Sequence, residues 1–104
     1  EQHVTRGRAN TLRLALSARY LERGDFVLAV QHAEAAVRLD EEYSEGWKAL
    51  GRALAAAGRE VEAKESYARG IEVAERRGDR QAANEMRVFS KRLKGVPAAP
   101  GEKN

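Results

Sequence analysis

Residues 44–77 read SEGWKALGRALAAAGREVEAKESYARGIEVAERR, and this stretch decides the fold. Trp47, Leu50 and Leu54 recur at helical spacing, with Gly51 beside them. Gly58 interrupts the run. A second periodic run follows, with Val61, Ala63, Tyr67, Gly70, Ile71 and Ala74 on one side. Two amphipathic helices joined by a glycine turn make a helical hairpin. Residues 10–43, NTLRLALSARYLERGDFVLAVQHAEAAVRLDEEY, repeat the arrangement at an offset of 34. Leu16 lies over Leu50, Ser17 over Gly51, Tyr20 over Leu54 and Gly24 over Gly58. Ala29 lies over Ala63, Ala36 over Gly70 and Val37 over Ile71. The pairs agree in size as well as polarity, which marks an internal repeat.

Working outward, the first helix is predicted over 10–23, with Leu12, Leu16 and Tyr20 as its inner stripe. Gly24 supplies its C-terminal turn, and Asp25 can cap the second helix, predicted over 26–39. Asp40, Glu41 and Glu42 form a polar connector, and Ser44 is a fitting N-cap for a third helix over 45–57. A fourth helix covers 60–77. Gly78-Asp79 then reads as a stop and a new cap, opening a fifth helix over 80–94 with Ala82, Met86, Phe89 and Leu93 inward. Residues 1–9 are polar and aperiodic, and 95–104 hold both prolines and two glycines, so both ends are expected to be disordered. The domain is then 10–94: one hairpin over 10–43, a second over 44–77 and a cap over 78–94.

Composition narrows the function. Cysteine is absent, which removes disulfides, thiolate catalysis and thiolate zinc sites. No apolar run approaches the roughly 18 residues of a membrane span, and no signal-peptide stretch opens the chain, so a cytoplasmic protein is expected. Nineteen alanines against 6% aromatics call for a core of closely packed helices. Fourteen arginines against five lysines, with that alanine excess, fit GC-rich bacterial coding. No HExxH, phosphate loop, GxSxG or dinucleotide fingerprint occurs. Of the two histidines, His3 lies in the polar N-terminus and His32 reads as a surface residue between Gln31 and Ala33, with Glu34 nearby. Glu60, Glu62 and Glu65 alternate with Arg59, Lys64 and Arg69, as solvated helix pairs do. No enzyme, metal site or cofactor is expected.

The second repeat supplies Trp47, Leu50, Gly51, Leu54, Gly58, Ala63, Tyr67 and Gly70. It resembles the tetratricopeptide repeat (TPR) family, whose period of about 34 residues carries W-x2-L-G-x2-Y, then A-x3-F and a later proline. The first repeat supplies Leu16, Ser17, Tyr20, Gly24, Ala29 and Ala36. It departs with Arg13 at the tryptophan position and Ala33 at the aromatic one, and both repeats carry glutamate (Glu41, Glu75) where proline is common. The resemblance implies an all-α fold of tetratricopeptide-like helical hairpin repeats: two hairpins and a C-terminal capping helix, five helices in a right-handed α-α superhelix. It also implies a non-enzymatic protein–protein interaction module, an adaptor or scaffold, that holds a peptide or helix on its concave face.

In the family that face is lined by the first helix of each hairpin. The matching positions here are Thr11, Leu14, Ala18, Leu21 and Glu22 in the first repeat, and Glu45, Lys48, Arg52, Ala55 and Ala56 in the second. The expected site is an apolar groove beside two cations, Lys48 and Arg52, one turn apart. The family's carboxylate clamp would fall on Leu14, Ala18, Ala49, Asp79 and Ala83, none of which matches it. Two further partners are weighed. One is a second copy of the chain, packed across the apolar side of helix one to give a homodimer. The other, the weakest, is nucleic acid on the basic stretch from Arg76 to Lys94, with seven cations against Asp79 and Glu85.

Overall fold

The computed structural model describes residues 2–93. It contains α1 (Gln2–Arg23), α2 (Phe26–Leu39), α3 (Ser44–Ala56), α4 (Glu60–Arg76) and α5 (Arg80–Lys91), with no strand among the described residues. Each helix packs on the next, α1 also meets α3, and α3 also meets α5. Helices α1, α3 and α5 therefore share one layer and α2 and α4 the other. The fold is an all-α helical repeat.

The three tight turns share one construction. Gly24, Gly58 and Gly78 have φ of 84°, 83° and 78°, a left-handed region that other residues enter only at a cost. At each, the next amide reaches back five residues: Asp25 N to Tyr20 O at 2.8 Å, Arg59 N to Leu54 O at 2.9 Å, Asp79 N to Ala74 O at 2.8 Å. These bonds satisfy carbonyls that a helix end leaves open. Of the predicted N-caps, Asp79 accepts from Ala82 N at 3.1 Å, whereas Asp25 makes no side-chain cap bond. Ser44 is the first residue of α3, not its cap, and Tyr43 holds the cap position.

Glycine also sets how closely the helices approach. A Cβ on Gly51 would stand 2.4 Å from the Tyr67 ring, and one on Gly70 would stand 2.8 Å from Trp47 Cβ. Alanine does the same for the rest: Ala29, Ala33, Ala36, Ala53, Ala63 and Ala74 are each 0% exposed. Trp47 and Met86 fill the remaining space, and the Trp47 indole N–H donates to Glu41 O at 2.9 Å. Buried hydroxyls fasten each hairpin across its helices. Ser17 donates to Ala29 O and Ser66 to Trp47 O, both at 2.8 Å.

The first helix departs from its predicted form in two respects. It begins at Gln2 rather than Asn10, so residues 2–9, expected to be disordered, are helical. Once a helix is nucleated, each further residue adds a backbone bond at little cost, and no apolar stripe is required. Its inner face also differs. Asn10 and Ser17 are buried, Leu14 and Leu21 are half-buried, and Leu12, expected inside, is 60% exposed. The tail at 95–104 lies outside the described residues.

Candidate functional site

The layer formed by α1, α3 and α5 carries an open groove of about 420 Å³. Leu21, Phe26, Ala55, Ala56 and Phe89 supply apolar walls, Tyr67 closes the floor, and Arg52 and Arg92 stand at the edge. The elements place these groups for simple reasons. The α1–α2 turn delivers Leu21 and Phe26 to one end, the small residues at the end of α3 keep the centre low, and α5 brings Phe89 and Arg92 to the far wall. Gly51 lets the Tyr67 ring lie against the backbone of α3. The Phe89 ring packs on that ring, with centroids 5.9 Å apart.

The electrostatics of the groove run one way. Among the described residues no carboxylate lines it. Neither Arg52 nor Arg92 forms an ion pair among the described residues. Burial pushes the Tyr67 phenol up to about 12, against a partial opposing pull from the Arg52 charge, so it stays a neutral hydrogen-bond donor through the physiological range.

Of the residues expected on this face, the groove unites Leu21, Arg52, Ala55 and Ala56. Lys48 is placed otherwise. Its ammonium is held by Glu85 at 2.8 Å and Glu45 at 3.2 Å. Desolvation pulls the Lys48 pKa down, but hydrogen bonds and charge from Glu85 and Glu45 outweigh it and leave the group above its ordinary value. Lys48 is thus a tie between α3 and α5, not a spare cation. It and Glu45 line a separate polar recess with Asp79, Gln81 and Glu85. Thr11, Leu14 and Ala18 line neither recess; the Thr11 hydroxyl donates to Gly7 O at 3.0 Å.

Sequence reasoning did not place Phe26, Phe89 or Arg92 at this face, and set Tyr67 only on the apolar side of its helix. The available signal was the solenoid itself, which brings equivalent ends of successive helices to one edge. His32 is also more engaged than expected. It is half-buried, stacks on Tyr20 with ring centroids 5.4 Å apart, and lies 3.2 Å from the Arg13 guanidinium through Nδ1. The basic stretch is partly neutralised, since Glu42 holds Arg76 and Glu75 pairs with Arg87, while Lys94 lies outside the described residues. Among the described residues no three His, Asp or Glu side chains converge as a metal site would require, and no helix is long and apolar enough to cross a membrane.

No family model matches the chain. The chain is 39% identical over 94 residues to the TPR repeat-containing protein PA0015 of Pseudomonas aeruginosa, covering 89% of this chain and 90% of that protein. The solution structure of protein BPP2914 from Bordetella parapertussis is similar at 37% identity and a TM-score of 0.71, over 81% of this chain and 73% of that one. A crystal structure of a tetratricopeptide repeat domain protein from Salinibacter ruber matches at 27% identity and a TM-score of 0.72, over 83% of this chain and 97% of that one. These relatives are all bacterial, and the family is typically a non-catalytic module of protein–protein interaction. The 34-residue register, the glycine turns, the helical layers and these similarities agree: the chain belongs to the tetratricopeptide repeat family.

Proposed function

We propose that the chain is a non-enzymatic adaptor that holds a segment of a partner protein in the groove between α1, α3 and α5. One observation carries this reading: the groove presents apolar walls and hydrogen-bond donors, with Arg52 and Arg92 at its edge and no carboxylate in its lining. A peptide or helix that suits it places an aliphatic or aromatic side chain against Leu21, Phe26 and Phe89, and a carboxylate at the two guanidinium groups. Lys48 contributes to holding α5 in place, not to the ligand.

The test is selection of binders from a random peptide library on the intact protein, followed by calorimetry on the selected peptides. Selected peptides should pair an acidic residue with an apolar anchor. Arg52→Glu combined with Arg92→Glu should weaken binding at least tenfold with an unchanged helical signal, on the scale of one lost charged contact, about 1.5–3 kcal/mol. Lys48→Gln should cost less affinity. Equal affinity in the double variant would remove the reading.

A further inference from the structure

The 34-residue register also bears on the end of the array that α5 does not cover. The side of α3 that seats on the first hairpin consists of Gly46, Ala49, Leu50 and Ala53. A Cβ on Gly46 would lie 3.5 Å from Val37 Cγ2, Leu50 and Ala53 are buried, and Ala49 packs against the core. The same register puts Leu12, Ala15, Leu16 and Arg19 at those positions of α1. Among the described residues nothing seats on them. Leu12 is 60% exposed, Ala15 and Arg19 are exposed, and Leu16 is half-buried.

The cations decide what fits there. Arg19 and Arg23 stand where α3 has Ala53 and Ala57, and Arg8 lies one turn before Leu12. A further hairpin stacked in the same manner would bury the Arg19 guanidinium, as Ala53 is buried, and half-bury that of Arg23, as Ala57 is. Every charge within the stripe Arg8, Leu12, Ala15, Leu16, Arg19, Arg23 is cationic; two carboxylates border it, Glu22 three residues after Arg19 and Asp25 at 3.8 Å from Arg23, against three arginines. Two copies of the chain meeting symmetrically through this stripe would set cation against cation. What remains is an apolar patch of two leucines and an alanine that runs into a cationic half. From Leu12 to Arg23 it spans ~16 Å along the helix axis, three turns.

We propose that this end of the array docks an acidic amphipathic helix of a partner protein. The apolar stripe of that helix covers Leu12, Ala15 and Leu16, and its carboxylates meet Arg19 and Arg23. The site is separate from the groove and does not depend on it.

The experiment titrates the isotopically labelled full chain with two synthetic helix-forming peptides. They share a leucine–alanine stripe and differ only in having glutamate or lysine flanks. The acidic peptide should shift the α1 amides between Leu12 and Arg23 and leave Arg52 and Phe89 unmoved. Arg19→Glu with Arg23→Glu should weaken it at least tenfold and should make the lysine peptide the better ligand. Absent shifts on α1, shifts confined to the groove, or unchanged affinity in the double variant would overturn the proposal. So would a dimer in sedimentation that Leu12→Glu dissolves. Failure of the groove reading would appear in the Arg52/Arg92 variant and leave the α1 amides from Leu12 to Arg19, which do not line the groove, untouched.

Discussion

In the second hairpin Leu50 and Leu54 are 8% and 4% exposed; their equivalents in the first, Leu16 and Tyr20, are only half-buried. Gly46 lies against Val37, yet its equivalent Leu12 faces outward. The two hairpins share a pattern and a turn, but α3 has helices before and after it, α1 and α2 on one side and α4 and α5 on the other, while α1 meets only α2 and α3. Burial in a stacked array is decided by the neighbour as much as by the residue. Trp47, Gly51, Tyr67 and Gly70 all belong to the hairpin with two neighbours, and each is close to another of them.

The comparison breaks most visibly at Trp47. Trp47→Ala should lower unfolding free energy by about 3–5 kcal/mol in chemical denaturation, because a large buried side chain and its bond to Glu41 are both lost. Leu12→Ala, at an apolar position of the unpaired end, should stay within about 0.5 kcal/mol. Comparable losses at both would mean that α1 is covered in solution. A smaller effect is expected at the shared position held by Gly51 and Ser17. Gly51→Val drives a side chain into the Tyr67 ring and should cost about 1–3 kcal/mol. Ser17→Ala removes a buried hydroxyl bond and should cost about 1 kcal/mol.

The smallest effect concerns the ionic tie from Lys48 to Glu85, which only the second hairpin makes to α5. The hydrogen bond from Lys48, and then its charge, hold the Glu85 carboxyl below its ordinary value of 4.5. A carboxyl depressed by folding adds stability above that ordinary value and loses it as the pH falls through the depressed one. Thermal melts between pH 5 and pH 2 should therefore decline slightly less in Glu85→Gln than in the parent chain. Identical slopes would show that the tie carries no folding energy. The pair is only partly buried, with the Lys48 and Glu85 side chains 20% and 41% exposed, so the difference should be modest.

Much of this molecule was legible in its sequence, and the failures have specific causes. The turns were readable because Gly24, Gly58 and Gly78 sit where a left-handed residue is needed. The register was readable because Trp47, Gly51 and Tyr67 differ so much in size that their spacing is distinctive. The inner face of α1 was not. Two leucine stripes run along that helix, Leu12–Leu16 and Leu14–Leu21, and periodicity cannot say which one meets a neighbour. The buried side is marked by polar Asn10 and Ser17, which hydropathy discounts. In the groove, Leu21, Arg52, Ala55 and Ala56 follow from the register, whereas Phe26, Phe89 and Arg92 come from helix ends that only the stacking brings together. The ion pair of Lys48 was not legible either, because Glu85, 37 residues further on, cannot be linked to it before the fifth helix is placed.

The pattern of helix contacts has a kinetic consequence. Every contacting pair of elements is adjacent in the chain or one element apart, and α3 takes part in four of the six pairings. No native contact between elements waits for the two ends of the chain to meet, so each loop closed during folding is short and its entropic cost low. Such local topologies fold in microseconds to milliseconds. A nascent chain can therefore complete its first hairpin, and then dock α3 on it, before α5 has been synthesised.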